Sequence, residues 1–252
     1  MKRTEKAEKN NRDWFRGQLF AEDSLDPEFE DIARNFLCGD VLAHGTLADP
    51  QRALIILAAL AASQTLNAIP RYTLAALDIG AKAEEIKEAL YHCTPYIGLE
   101  KVRSALEEVN EAFQKAGITY PLAGQSTVTE DTRFEKGLAV QQTIGGEDNI
   151  RAMREAAPQD LKHIQDYLSA YCFGDFYTRG TLDLKMRELI TFCAICCLGG
   201  CEPQAKAHVE ANLRVGNTRQ TLIEAVTQCL PFIGFPRTLN AIACIDAVTK
   251  DQ

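Results

Sequence analysis

Gly39-Asp40-Val41-Leu42-Ala43-His44-Gly45-Thr46-Leu47 and Gly174-Asp175-Phe176-Tyr177-Thr178-Arg179-Gly180-Thr181-Leu182 share five of nine residues at a separation of 135 positions. Downstream, Ala75, Leu77, Gly80, Glu88, Ala89, Cys93, Pro95, Ile97, Gly98 and Ala105 recur 136 positions later as Ala211, Leu213, Gly216, Glu224, Ala225, Cys229, Pro231, Ile233, Gly234 and Ala241. An ordered set of matches with a single-residue slip is what an internal duplication leaves. Residues 13–115 therefore read as a first unit and residues 132–250 as a second. Between them, residues 116–131 (AGITYPLAGQSTVTED) are rich in Gly, Pro, Ser and Thr and have no helical period, so they read as a linker.

Within each copy the apolar residues recur at spacings of three and four, as in Ala83–Leu90 and Gln220–Cys229, and no stretch alternates as a strand would. The fold class expected is all-α, with tandem duplicated helical units. Gly80 and Gly216 sit where a left-handed C′ residue would close one helix, and Asn217 or Thr218 can cap the next. Pro95 and Pro231 should kink or end the second helix of each hairpin before Gly98 and Gly234. Further helices are expected at Pro27–Leu37, Thr132–Ile144 and Gln159–Cys172.

The chain has 252 residues, 46% apolar and 25% charged, which places it among ordinary globular proteins with enough length for a packed core. Lys and Arg number 27 against 35 Asp and Glu, a net charge of −8, and basic residues cluster only at the extreme N-terminus. Such a surface repels phosphate backbones, so no nucleic-acid partner is expected. The first fourteen residues are polar, with no secretory-type apolar core, and the longest apolar stretch, Ala53–Ala62, falls short of a membrane span. Nine cysteines, an odd number, set largely in helical segments suit reduced thiols, and a cytoplasmic location is expected.

Four of those cysteines lie within Cys193–Cys201. Cys193, Cys196 and Cys197 fall in one continuous apolar helical run with no second ligand pair elsewhere, which suits small core residues better than a tetrahedral metal site. Cys201 differs. Gly199-Gly200 ends the preceding helix and Pro203 suits the first turn of the next, so Cys201 lies beside a helix N-terminus, where the macrodipole favours a thiolate. His208 is two turns on and on the same face, about 10–11 Å along the axis, so contact with Cys201 would need a water, Gln204 or a bend in the loop. Glu188 opens an apolar run, where a carboxylate turned inward would be tuned for proton transfer. No Gly-x-Gly-x-x-Gly, phosphate-binding loop or His/Cys ligand set is present, so neither cofactor nor metal is expected.

The run from Arg187 to Val248 resembles the carboxymuconolactone decarboxylase family, which includes the alkylhydroperoxidase D-like proteins. The resemblance is carried by Arg187-Glu188-Leu189, Cys201, His208, Ala211 to Gly216, and Phe232-Ile233-Gly234-Phe235-Pro236. It extends upstream through Phe134-Glu135-Lys136-Gly137 and Gly174–Arg179, with a weaker version in the first copy. The hydroperoxidase branch implies Cys201 as nucleophile toward a hydroperoxide or disulfide, with His208 and Glu188 as proton relay and an external thiol as reductant: a peroxiredoxin-type activity. Its second cysteine, however, falls on Gln204, which leaves Cys197 as a possible resolving thiol. The decarboxylase branch implies cofactor-free acid–base chemistry by His208 and Glu188 on a small lactone carboxylate, with Arg179 and Arg237 as candidate substrate anchors. A non-catalytic helical assembly module is the third reading. Relatives that form rings of six units imply a homotrimer of two-unit chains. In the first copy Arg52 or Ala53, Thr65 and Tyr72 occupy the places of Glu188, Cys201 and His208, so that unit is expected to be catalytically degenerate.

Overall fold

Every residue from Ala53 to Ala62 is buried, and so is every residue from Met186 to Cys197. A helix that is apolar on all sides can be satisfied only at the centre of a fold. In the computed structural model, which describes residues 1–20 and 24–250, these two segments belong to α3 (Asp49–Ala62) and α10 (Leu184–Leu198), which pack on each other as the central layer. The remaining α-helices are α1 (Arg3–Phe15), α2 (Pro27–Arg34), α4 (Ile69–Asp78), α5 (Ala83–Ile97), α6 (Leu99–Lys115), α7 (Arg133–Gly145), α8 (Glu147–Ala156), α9 (Lys162–Tyr167), α11 (Glu202–Arg214) and α12 (Arg219–Thr249). Among the described residues there is no strand. The fold is all-α with two related units, as the periodicity requires.

The duplication is visible element by element. α3, α4, α5 and α6 correspond to α10, α11 and the two halves of α12, and one apolar core runs through both units. Gly98 (φ +99°) separates α5 from α6, and Gly234 (φ +74°) breaks α12 at the matching place. The prolines three residues earlier stay inside their helices. The break is set by the left-handed glycine rather than by the ring.

Two expected helices change character. Pro27–Leu37 is α-helical only to Arg34 and continues as a π-helical stretch, Asn35–Val41; Gln159–Cys172 divides into a 3-10 turn, α9 and a longer π stretch, Leu168–Tyr177. Each π stretch contains the Gly of its Gly-Asp motif, pressed on another helix. A Cβ on Gly39 would lie 2.8 Å from the carbonyl oxygen of Arg3, and one on Gly174 would collide with that of Arg133. The following aspartates then pair with the same arginines, Arg3–Asp40 and Arg133–Asp175. α1 thus holds in the first copy the place that α7 holds in the second. Residues 116–132 carry no helix; Gln125 and Thr127 tie this stretch to Gly180 and Thr178.

Candidate active site

A buried arginine organises each Gly-Asp loop. Arg187, with no side-chain exposure, donates to the carbonyls of Arg179, Gly180 and Leu182; Arg52 does the same for His44 and Leu47. The carboxylate facing each loop comes from the other unit. Glu88 of α5 is held by Arg179 at 2.8–2.9 Å and by Arg187 at 3.4 Å, while Glu224 of α12 accepts from the backbone N–H groups of Thr46 and Leu47 at 2.7 and 3.0 Å. Burial lowers the pKa of Arg187 from its usual value, with Glu88 opposing the shift. Burial works to raise Glu224, but its hydrogen bonds to Thr46, Gln220 and Leu47, with Arg52 nearby, outweigh this and hold it below the usual carboxylate range.

Between Arg187 and α11 lies a chain of polar side chains present only on the second unit's side. His208 Nδ1 is 2.8 Å from Glu188 Oε2, and the Tyr177 hydroxyl donates to Glu188 Oε1 at 2.5 Å. The Tyr177 oxygen lies 2.9 Å from the Tyr96 hydroxyl, which donates to it, and 3.0 Å from Thr191 Oγ1. Thr191 in turn meets His92 Nε2 at 2.9 Å, and His92 Nδ1 is 3.4 Å from Arg187 Nη1. Since an arginine can only donate, His92 accepts at Nδ1 and donates from Nε2, and the donors run in sequence toward Glu188. Burial, then the charge of Arg187, lowers the pKa of His92 well below its usual value, which keeps that ring neutral. Burial, with the nearby Glu188 among the further causes, raises Tyr177 and Tyr96 well above the usual phenol value, so both remain donors.

Glu188 is fully buried, whereas the His208 side chain keeps 19% of its surface exposed. With its Nδ1–H given to Glu188, the imidazole presents Nε2 as its second reactive nitrogen. Tyr96 stands against the ring edge-to-face at a centroid distance of 5.7 Å, and Asn212 ties the backbone carbonyls of Glu188 and His208 together. The structure therefore joins Glu188 to His208.

It does not join Cys201 to them. Cys201 caps the N-terminus of α11 as expected, but its Sγ points to the Gly199 carbonyl at 3.6 Å and lines a small cavity with Cys196, Arg237 and Cys244. Gln204 is exposed. Cys197 is fully buried against Cys229, and Cys193 is buried as well, as core thiols would be. Arg179 is engaged by Glu88 and lies over the Tyr91 ring at 5.3 Å, and Arg237 is exposed at the Cys201 cavity. Neither arginine bonds to the Glu188–His208 pair. Tyr177, Thr191, His92 and Tyr96 were not singled out from sequence; the nearest clue is that Tyr177 lies inside the repeated Gly-Asp motif.

No described helix is long and apolar enough to cross a membrane. The profile of the carboxymuconolactone decarboxylase family matches twice, at residues 27–111 and 162–247. A 4-carboxymuconolactone decarboxylase from Acinetobacter baylyi is 25% identical over 124 residues, 49% of this chain and 92% of that protein. Both units, and more than half of the residues, carry the signature; the chain belongs to the carboxymuconolactone decarboxylase family.

Proposed function

We propose that the second unit is a cofactor-free acid–base lyase for a small lactone carboxylate, with His208 as the proton-transfer group and Glu188 as its buried counter-charge. One observation carries this reading: Glu188, sealed from solvent, accepts from His208 on one oxygen and from Tyr177 on the other. When a carboxylate leaves as carbon dioxide, its bonding electrons stay on carbon and a proton must be delivered there. His208, protonated at Nε2 from solvent, delivers that proton to the carbon, and Glu188 balances the imidazolium until it does so. Tyr177 fixes the carboxylate so that the ring is held ready for the substrate. The similarity to a decarboxylase supports the same chemistry.

The discriminating measurement is release of carbon dioxide from lactone carboxylates by wild type, His208→Ala and Cys201→Ala proteins. Loss in the first variant with retention in the second is expected. Retention in His208→Ala, or loss in Cys201→Ala, would overturn the assignment in favour of thiol chemistry.

A trimeric assembly fits the same reading. Exposed Phe29, Ile32 and Phe235 line one cavity with Tyr72 of the first unit's degenerate site, and their repeat partners Ile164, Tyr167 and Leu99 are exposed as well. Two patches of the same construction suit burial against other copies of this chain. Light scattering should give three times the 27.9 kDa chain mass, and a monomer mass would refute the assembly.

A further inference from the structure

A cavity of about 190 Å³, the volume of about six waters, opens between α5, the non-helical stretch 120–125 and the Gly-Asp loop of the second unit. Neither Glu188 nor His208 lines it. Its long wall is Glu84, Lys87, Glu88 and Tyr91, one face of α5 at helical spacing, and Arg179 enters from the other unit. The stretch facing them is fixed at both ends. Tyr120 donates to Asn110 Oδ1 at 3.0 Å, and Gln125 accepts from the Gly180 N–H at 2.9 Å and from Thr181 Oγ1 at 2.7 Å.

Two cations meet on this wall. Lys87 is half-buried; its Nζ has one acceptor, Asn110 Oδ1, and lies over the rings of Tyr91 and Tyr120 at 6.0 and 5.5 Å. Among the described residues no carboxylate pairs with it, and burial alone moves its pKa, downward. Arg179 spends Nε and Nη2 on Glu88, which Arg187 also holds, and this leaves Nη1 uncommitted among the described residues. Its guanidinium stands 5.3 Å from the same Tyr91 ring. An ammonium and a guanidinium held on one ring repel each other, and an anion set between them turns that repulsion into attraction.

We propose that this cavity binds a small monocarboxylate with a flat apolar body. Lys87 Nζ donates to one carboxylate oxygen and Arg179 Nη1 to the other, while Tyr91, Tyr120 and Leu122 enclose the body. Glu84, the remaining charge on the wall, opposes a second acidic group in the same space. The stretch between the units forms one side of the cavity, so the site belongs to the joined pair and not to either unit alone. It uses neither His208 nor Glu188 and stands or falls apart from the lyase reading.

The test is isothermal titration calorimetry of the full chain with benzoate and with benzamide, its neutral counterpart of the same shape. Benzoate is expected to bind, and benzamide to bind at least about tenfold more weakly, the scale of one charge-assisted hydrogen bond. Lys87→Met, which keeps the apolar stem of a half-buried side chain, should weaken benzoate by a similar factor. Phthalate, with its second carboxylate, should bind less tightly than benzoate. His208→Ala should leave the benzoate affinity unchanged, which separates this cavity from the proposed lyase site. No benzoate binding at about 10 mM, equal affinity for benzamide or phthalate, full affinity in Lys87→Met, or loss in His208→Ala would each overturn the proposal. The comparison of benzoate with benzamide is made on wild-type protein and needs no variant to fold.

Discussion

The two units enclose matching sites with opposite chemistry. In the second, Tyr96 meets His208 edge-to-face at 5.7 Å and 88°; in the first, Phe232 meets Tyr72 at 5.4 Å and 87°. Behind these rings, positions 135 or 136 apart replace Glu188 by Ala53, Tyr177 by Leu42, Thr191 by Ile56 and Asn212 by Ala76. Ring packing has survived duplication while the hydrogen-bonded interior has not. The arginine clamps behave differently: Arg52 with Glu224 and Arg187 with Glu88 persist in both units. A buried polar group left without its partner is costly, so a network without use is readily lost to apolar packing. What both units keep serves the fold, and what only the second keeps is the set of residues on which the proposed chemistry rests.

The sharpest way to break this division is to remove the second unit's polar pair. His208→Ala or Glu188→Gln should lower turnover by about 10²–10⁴-fold, the usual scale for a positioned proton-transfer group. Tyr72→Ala at the matching place in the first unit should leave the rate per folded chain unchanged. Equal losses from both sides would show that the two units share one function. Steady-state rates alongside circular dichroism separate lost chemistry from lost fold.

Next in size are the clamps. Glu88→Gln strands a buried Arg187 beside Arg179 and should cost about 3–5 kcal/mol, as breaking one partner of a buried pair does. Glu224→Gln should cost less, about 1–3 kcal/mol, because the amide oxygen can still accept from the Thr46 and Leu47 N–H groups and what is lost is mainly the charge. The Glu224 contribution also has a pH signature. Its folded pKa is depressed, so its stabilisation is full above the unfolded carboxylate value and is lost as pH falls through the folded one. Denaturant melts of wild type and Glu224→Gln should therefore converge in acid; melts that stay parallel would refute the role.

How much of this was legible follows from what a linear pattern encodes. Gly98/Gly234 could be read because each marks one backbone position whose demand, a positive φ, is local, whereas Gly39/Gly174 were legible only as a repeat match, since what they admit is the backbone of another helix. Glu188 and His208 were legible as two separate candidates on successive helices, and their pairing only as what the family resemblance implies. The interleaving of the units was not: Glu88 and Glu224 appear in the repeat as a conspicuous match, yet each clamps the opposite copy, a long-range choice that periodicity does not carry. Tyr96 and His92 were hidden for the same reason, because they reach the site from α5 of the first unit. Cys201 was placed correctly at the start of α11, but the direction of its side chain depends on two successive left-handed glycines and on α12, more than forty residues away.

The comparison is finest at His92 and Tyr96, whose repeat partners Gln228 and Phe232 show what the first unit uses instead. His92 is buried and neutral, with its pKa depressed, so the unfolded chain takes up a proton that the folded chain refuses. Stability should fall as pH drops below about 6.5, by up to about 1.4 kcal/mol per unit, and the slope should flatten in His92→Gln. Tyr96→Phe should do less. It removes one donor to the Tyr177 oxygen and the contact with Cys172 Sγ at 3.4 Å, but leaves Thr191 on Tyr177 and Tyr177 on Glu188. A cost of about 0.5–1.5 kcal/mol in stability is expected, with a loss in turnover below about tenfold. A loss as large as that of His208→Ala would instead make the Tyr96 hydroxyl a participant in proton transfer and carry the site across the boundary between the units.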